Sequence, residues 1–252
     1  MIVIAHISDI HIGGGERSVE RTERVMTYVN DLRRPVDIVL VTGDIADHGR
    51  IAEYDRARAL LTSELPVLTC PGNHDDRSAF RTALLDGVGG DGPINLVYDV
   101  AGVRIAMCDS TIPGRDDGYL SDETIEWLEA ALTDRTDGRP ALIAFHHPPV
   151  RLYSPFIDEI RQRGERRLAQ VVERHPEVVA VLCGHAHTAA ASTFAGRPLL
   201  VAPGVVSTLR LPWENGDPLD YDLPPAIALH MIDDDRRITT HYRVVPAVVD
   251  DH

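Results

Sequence analysis

The chain has 252 residues, of which 39 are acidic and 25 basic, so its formal net charge is −14. Every basic residue is an arginine, which excludes the lysine-dependent chemistry of P-loop nucleotide hydrolases, kinases and Schiff-base enzymes. A charge this negative also argues against a protein that binds long nucleic acids.

The cysteines and the N-terminus indicate the compartment. Cys70, Cys108 and Cys183 are odd in number and far apart in sequence, which predicts buried thiols in a reducing environment. The first residues lack the basic region of a signal peptide, and no apolar run approaches the ~20 residues of a membrane-spanning helix. We therefore expect a cytoplasmic protein with no membrane partner.

Apolar, β-branched runs alternate with amphipathic helices along the first three quarters of the chain. Strands are predicted at 2–7, 37–41, 66–70, 103–108, 141–145 and 178–183. Helices are predicted at 16–34, 50–62, 76–86, 122–133 and 164–175. Pro35 prevents the first helix from continuing, and Ser121 is the expected N-cap of the fourth helix. Strands that are apolar along their whole length are typical of an α/β fold whose sheet is covered on both faces.

The pattern changes after the sixth strand. Strands at 189–194, 198–202, 226–232 and 237–245 follow one another without helices, which indicates antiparallel hairpins that complete a second sheet. We therefore predict an α/β protein, a four-layer α/β/β/α sandwich of two mixed β-sheets flanked by helices, with one mixed sheet as the alternative. A single domain is expected over 1–252, with 189–252 as its strand-rich C-terminal part.

Five of the apolar strands run directly into side chains that commonly bind metal ions. In chain order these side chains are Asp9 and His11, Asp44, Asn73 and His74, His146 and His147, and His185 and His187. Because ligands bind at the carboxyl ends of strands in open α/β sheets, we expect these residues to form one cluster. Each motif alone is compatible with turn chemistry or a structural histidine, but together they indicate a functional site.

The five motifs, Asp-Ile-His, Gly-Asp, Gly-Asn-His-Asp, His-His and Gly-His-Ala-His, resemble those of the calcineurin-like metallophosphoesterases. The resemblance runs from about residue 1 to residue 205. The stretches PGNHDDR and GRDDGYLSDETIEWLEAAL are similar to the branch that contains class III cyclic nucleotide phosphodiesterases and glycerophosphodiesterases. The fold of this family is a β-sandwich flanked by helices, which agrees with the fold predicted above.

The resemblance implies a centre of two divalent or mixed-valence transition-metal ions, chosen from Fe, Mn, Zn and Co. The implied ligands are Asp9, His11 and His187 for the first ion, Asn73, His146 and His185 for the second, and Asp44 for both. His74 would be catalytic, protonating the leaving oxygen or hydrogen-bonding the transition state. The charges of two divalent ions, of the Asp9 and Asp44 carboxylates and of a bridging hydroxide sum to about +1. An anionic phosphate can therefore bind despite the negative net charge of the chain.

The implied activity is that of a phosphodiesterase for small diesters, such as 3′,5′-cyclic nucleotides or glycerophosphodiesters, in which a metal-bridging hydroxide attacks phosphorus. Alternatives are a phosphomonoesterase or nuclease of the same superfamily, or a metal-free scaffold without activity. The expected partner is thus a small phosphodiester and no long nucleic acid. A homodimer is a weaker expectation.

Other side chains carry less specific predictions. We expect His147 beside the centre rather than in it, and His6 as a hydrogen-bonded core residue. Asp75 would orient His74 or stabilise its turn. Substrate specificity is assigned to residues 113–117, to the stretch after His147 and to 207–215. Candidate substrate contacts, each with a plain surface position as the alternative, are Arg115, Arg151, Tyr153, Arg210 and Trp213.

Overall fold

The structure is a computed structural model that describes residues 1–133 and 138–246, so the last six residues of the predicted C-terminal part lie outside it. The strands are β1 (Ile2–Ile7), β2 (Ile38–Thr42), β3 (Val67–Cys70), β4 (Leu96–Val100), β5 (Val103–Met107), β6 (Gly118–Tyr119), β7 (Ala141–Ala144), β8 (Gln162–Arg163), β9 (Val178–Cys183), β10 (Ala190–Phe194), β11 (Arg197–Val201), β12 (Thr208–Leu209), β13 (Leu219–Asp220), β14 (Ala226–Ile232) and β15 (Ile238–Val244). The helices are α1 (Glu16–Asn30), α2 (Ile51–Leu60), α3 (Arg77–Leu84), α4 (Asp122–Thr133), α5 (Pro155–Glu159) and α6 (Glu165–Arg174).

Two large mixed sheets form the frame of the molecule. The first has the strand order β15-β14-β1-β2-β3. In it β1, β2 and β3 are parallel to one another, β14 is antiparallel to β1, and β15 is antiparallel to β14. The second has the order β10-β11-β9-β7-β5-β4, with four parallel central strands and an antiparallel strand at each edge. The carboxyl ends of β1, β2 and β3 therefore share one edge of the first sheet, and those of β7 and β9 share one edge of the second.

Three apolar clusters show that the two sheets lie face to face between helices. Ile4 and Leu40 of the first sheet pack with Ile105 and Leu182 of the second. The opposite face of the first sheet packs on α1, α2 and α3, and that of the second on α4 and α6. The predicted four-layer sandwich is thus confirmed, and the alternative of one mixed sheet is wrong.

The sequence pattern missed some details of this frame. Contrary to the prediction, the C-terminal hairpins do not all belong to the second sheet but are divided between the two sheets. Strands β10 and β11 join the second sheet, and β14 and β15 join the first. Strand β4 was not predicted. Helix α1 ends at Asn30, four residues before the predicted end, where the N–H of Asp31 bonds to the carbonyl of Thr27. The predicted cap of α4 is present, since the Ser121 hydroxyl accepts the N–H of Thr124 at 3.1 Å.

Among the described residues, no helix combines the length and the apolar character needed to cross a lipid bilayer.

Candidate metal centre

The five strand ends that carry the predicted site residues meet at one place, but they come from both sheets. The imidazole of His146, after β7, donates from Nδ1 to the carbonyl of Thr42 at the end of β2, 2.7 Å away. The backbone N–H of His185, after β9, donates to Oδ2 of Asp9, after β1, at 3.0 Å. Face-to-face packing of the sheets, rather than one sheet edge, therefore assembles the cluster.

An unusual backbone conformation presents many of these side chains. Five of the seven predicted ligands have a positive φ: Asp9 at 56°, His11 at 44°, Asp44 at 50°, His185 at 69° and His187 at 48°. The described chain contains ten non-glycine residues with positive φ, so half of them lie in this cluster. The left-handed conformation is uncommon outside glycine, and such residues concentrate at functional sites.

Asp9, His11, Asp44 and His187 form the first half of the cluster, and their ligand-type atoms lie within 4.8 Å of one another. Nε2 of His11 is 3.4 Å from Oδ2 of Asp44, and Nε2 of His187 is 3.4 Å from Oδ1 of Asp9. The two imidazole Nε2 atoms are themselves 3.2 Å apart. Two carboxylates and two imidazoles thus face a common point.

The second half of the cluster begins at the same carboxylate. Oδ2 of Asp44 lies 3.3 Å from Nε2 of His146, which in turn lies 3.2 Å from Nδ1 of His185. The other oxygen of Asp44 accepts the backbone N–H of His74 at 2.9 Å. One oxygen of Asp44 is therefore fixed by the backbone while the other lies between the two halves.

Hydrogen bonds on the outer side of the histidines determine which nitrogen faces the cluster. Nδ1 of His11 is 2.9 Å from Oδ1 of Asp47, and Nδ1 of His146 faces the Thr42 carbonyl. An ionised carboxylate and a carbonyl can only accept, so Nδ1 carries a proton in both rings and Nε2 is the inward atom. Ser207 likewise contacts Nδ1 of His187 at 2.7 Å. Sequence reasoning missed Asp47 in this role, and its place three residues after Asp44 was the available signal.

Unpartnered polar atoms test whether the cluster fits metal ions. Within the described part of the chain, seven buried side-chain polar atoms lack a hydrogen-bond partner, and three of them belong to the cluster: Oδ1 of Asp9, Oδ1 of Asn73 and Nε2 of His185. Buried polar atoms of this kind are rare because each costs free energy unless something binds it. Carboxylate, amide and imidazole donors together suit Fe, Mn, Zn or Co, so the residues present fit two such ions.

The pKa values also reflect a buried, negatively charged centre. Burial lowers the pKa of His187 to about 4 and that of His185 well below its usual value, so both rings are neutral at pH 7. Burial also disfavours the charged form of His146, but the Asp44 and Asp9 carboxylates and the hydrogen bond to Thr42 together outweigh this and raise its pKa to about 9. The same carboxylates that hold a proton on His146 would attract a cation in its place.

His147 is fully buried beside the cluster, with both ring nitrogens already engaged. Nε2 lies 3.2 Å from the carbonyl of Asp116 and must donate to it, which leaves Nδ1 to accept from the Ser110 hydroxyl at 2.7 Å. Neither ring nitrogen of His147 then has a lone pair free to bind a metal ion. This geometry supports the expectation that His147 lies beside the centre.

Asp75 acts on the loops rather than on the ring of His74. Its carboxylate accepts the backbone N–H groups of Ile45, Ala46 and Gly72 at 3.1, 3.0 and 2.8 Å. Nδ1 of His74 instead donates to the carbonyl of Asp47 at 2.9 Å. Of the two predicted roles for Asp75, stabilising the turn is the one the contacts support.

A cavity of about 460 Å³ opens onto the cluster. It is lined by His11, Gly14, Asp44, Asp47, Asn73, His74, Asp116, Phe156, Ile157, Ile160, His185, His187, Val206, Ser207, Leu209, Leu219 and Tyr221. The candidate substrate contacts Arg115, Arg151, Tyr153, Arg210 and Trp213 are absent from this lining of described residues. Arg115 instead pairs with Asp117, and Arg210 with Asp220.

Comparison with known proteins identifies the family of the chain. The family model described as calcineurin-like phosphoesterase matches residues 2–189. The chain is 34% identical to a glycerophosphodiester phosphodiesterase (GpdQ) of Enterobacter lignolyticus, over 91% of this chain and 86% of that protein. It is 32% identical to a cAMP/cGMP dual specificity phosphodiesterase of Mycobacterium tuberculosis, over 83% and 69% of the two chains.

Among solved structures, a dimetal phosphatase from Danio rerio superposes with a TM-score of 0.70 at 17% identity, covering 97% of this chain and 96% of that one. At this identity the similarity concerns the fold. The family model and the sequence relatives go further, because together they span most of the chain and include the strand ends of the cluster. The chain therefore belongs to the calcineurin-like phosphoesterase family and is a phosphoester hydrolase.

Proposed function

We propose that the protein is a phosphodiesterase dependent on two metal ions, and that it hydrolyses small phosphodiesters such as 3′,5′-cyclic nucleotides or glycerophosphodiesters. The observation that carries this proposal is the buried cluster in which Asp44 lies between two groups of ligand-type atoms. The names of the two sequence relatives support a diester as the substrate.

In this proposal the first ion is held by Asp9, His11 and His187, and the second by Asn73, His146 and His185. Asp44 contributes to both. When bound, the two ions would lower the pKa of a water molecule and neutralise charge on the phosphoryl oxygens.

Hydrolysis adds water across one ester bond. The water oxygen bonds to phosphorus, the P–O bond to one alcohol breaks, and the leaving oxygen takes up a proton. His74 is the proposed donor of that proton. Its Nδ1–H is held by the Asp47 carbonyl, so Nε2 is the atom left to carry the transferable proton. The backbone N–H of His74 is tied to Asp44, which keeps the ring beside the cluster.

The charges around the cavity favour a diester over a monoester. The described lining of the 460 Å³ cavity contains no arginine, whereas Asp47 and Asp116 both contribute to it. Positive charge for binding phosphate would then come from the bound ions and from His74 when both of its ring nitrogens carry protons. A diester carries one negative charge and a monoester nearly two at pH 7, so the second charge of a monoester would lie near Asp47 and Asp116 without an arginine to offset their repulsion.

The test is a substrate panel with defined metals. The protein is stripped with a chelator, reloaded with Fe, Mn, Zn or Co, and assayed on bis(p-nitrophenyl) phosphate, cyclic AMP, glycerophosphocholine and p-nitrophenyl phosphate. We expect at least one diester to be hydrolysed at least tenfold faster than the monoester, and the stripped protein to be inactive. Faster turnover of the monoester would contradict the proposal, as would diester hydrolysis that survives removal of the metals.

A further inference from the structure

Two cavities, not one, meet at the proposed catalytic residues. Besides the large cavity of about 460 Å³, a smaller one of about 220 Å³ is also lined by Asn73 and His74. The smaller cavity is lined by His48, Gly49, Asn73, His74, Asp75, Asp76, Arg77, Asp91, Thr111, Ile112, Pro113 and Gly114. Asn73 and His74 are the two described residues that line both.

The walls of the two cavities differ in chemistry. One wall of the large cavity is apolar and includes Phe156 in α5, Ile160 directly after this helix, Leu219 in β13, and Tyr221. Phe156 is 62% exposed and Tyr221 47% exposed, so both rings are available to a ligand. An aromatic or apolar group placed there would bury apolar surface against these side chains.

Most of the residues that line the small cavity are polar, and the one arginine among them is already paired with a carboxylate. Arg77 pairs with the carboxylate of Asp109 at 2.8 Å and donates to the carbonyls of Asp91 and Thr111 at 2.9 Å each. It is thus committed to the protein and not free to bind a second phosphate group. The exposed side chain of Asp91 also lines this cavity and disfavours an anion. A neutral, hydroxyl-bearing group suits such a wall.

We propose that the two cavities bind the two ester arms of an acyclic phosphodiester, with its phosphorus beside Asn73 and His74. The larger, apolar or aromatic arm lies in the cavity walled by Phe156, and the smaller, polar arm lies in the cavity walled by Asp91. This inference rests on the proposed phosphodiesterase function and makes Phe156 and Asp91 its specificity-determining residues.

The arrangement separates acyclic from cyclic diesters. In an acyclic diester the two alcohol groups leave phosphorus in different directions and can each occupy one of the two cavities. In a 3′,5′-cyclic nucleotide both ester oxygens belong to one sugar, so the sugar and base lie on one side and leave the other cavity empty. Blocking the small cavity is therefore expected to affect diesters with two bulky arms and to spare those with a single one.

Asp91→Trp tests the small cavity by adding bulk, and Asp55→Trp, at an exposed position of α2 that lines neither cavity, is its matched control. The substrates are bis(p-nitrophenyl) phosphate, which has two bulky arms, and ethyl p-nitrophenyl phosphate, which has one. In Asp91→Trp we expect kcat/KM to fall at least tenfold for the first and less than threefold for the second. Asp55→Trp should stay within threefold of the unmodified protein on both. Turnover of the ethyl ester also reports whether Asp91→Trp is folded.

Phe156→Ala tests the large cavity, and Trp213→Ala is its control, because Trp213 is 76% exposed and lines neither cavity. We expect Phe156→Ala to raise KM about five- to tenfold for both aryl substrates, and Trp213→Ala to leave it unchanged. Equal losses on the two diesters in Asp91→Trp, or no effect of either Asp91→Trp or Phe156→Ala, would overturn the two-cavity assignment. If the unmodified, metal-loaded protein turned over no diester, the proposed function itself would fail, a result distinct from these.

Discussion

Asp47 and His11 form a hydrogen bond of 2.9 Å between Oδ1 of the carboxylate and Nδ1 of the ring, on the side of His11 that faces away from the cluster. The backbone carbonyl of Asp47 also accepts a hydrogen bond from Nδ1 of His74. Asp47 thus connects a proposed metal ligand with the proposed proton donor. Neither contact uses an atom that is a proposed metal ligand.

This relationship gives a first prediction. Replacing Asp47 with Asn keeps the size of the side chain but removes its negative charge. In the unmodified protein that charge orients His11 and increases the basicity of its ring. We expect metal affinity to fall about 10- to 100-fold with the fold intact. Calorimetric titration of chelator-treated protein with Mn²⁺ or Zn²⁺ measures the affinity, and circular dichroism checks the fold. Asp55→Asn, on the exposed face of α2, is the control and should bind as the unmodified protein does.

A second prediction concerns His74 as proton donor. The alkoxide that leaves a dialkyl phosphodiester needs a proton, whereas p-nitrophenolate leaves readily without one. His74→Ala should therefore slow hydrolysis of glycerophosphocholine by about 10²- to 10³-fold, and that of bis(p-nitrophenyl) phosphate by less than about tenfold. Steady-state kinetics on the two substrates provide the measurement. Losses of the same size on both would show that His74 does not supply the proton.

Asp75 provides a prediction about stability. In Asp75→Ala three N–H groups, of Ile45, Ala46 and Gly72, lose their acceptor. Because an unsatisfied buried donor costs about 1–3 kcal/mol, we expect the free energy of unfolding to fall by about 3 kcal/mol or more. Urea denaturation in excess chelator measures this change without a contribution from bound metal. Asp75→Asn retains one acceptor oxygen and should lose less, and an Ala variant as stable as the unmodified protein would exclude this role.

The buried pair His6 and His230 predicts a pH dependence. Nδ1 of His6 lies 3.0 Å from Nε2 of His230, and the outer nitrogens contact Thr42 and Thr240 at 2.8 Å, as expected for a hydrogen-bonded core histidine. Burial lowers the pKa of His230 to about 3 and that of His6 well below its usual value. Below about pH 6.5 the unfolded chain binds protons that the folded chain does not, so the free energy of unfolding falls as the pH falls towards 3.

The double variant His6→Leu, His230→Leu removes these two sites. Each histidine contributes up to about 1.4 kcal/mol per pH unit to the slope, so the variant should lose stability more gradually between pH 6 and pH 4. Urea denaturation of chelator-treated protein across this range gives both slopes. His241→Leu, at an exposed position of β15, is the control. A slope unchanged in the double variant would contradict the assignment.

The sequence was most informative where chemistry follows a strand directly. Asp9 and Asp44 follow neighbouring parallel strands of one sheet, so their convergence could be predicted from strand direction. His146 follows a strand of the other sheet and reaches them only because the two sheets pack face to face. Which hairpin joins which sheet could not be predicted, because β10–β11 and β14–β15 show the same alternation of apolar and polar residues. Their placement depends on pairing with β9 and β1, which lie far away in sequence.

Residues that act through loops were harder to find. The link from Asp47 to His11 depends on the path of the loop after β2, which has no periodicity to read. Phe156 reaches the large cavity from a five-residue helix, too short to give a pattern. The arginines were better candidates by residue type, but Arg115 and Arg210 bind nearby carboxylates.

The positive φ angles at Asp9, His11, Asp44, His185 and His187 have a consequence for how this protein can be changed. A non-glycine residue in the left-handed conformation costs about 1 kcal/mol or more, so the centre holds conformational strain before any ion arrives. Bound ions would offset that strain, and their arrival should appear as a rise in melting temperature. Selection for heat resistance alone would favour glycine at these positions and abolish hydrolysis, whereas selection for hydrolysis retains the strained backbone.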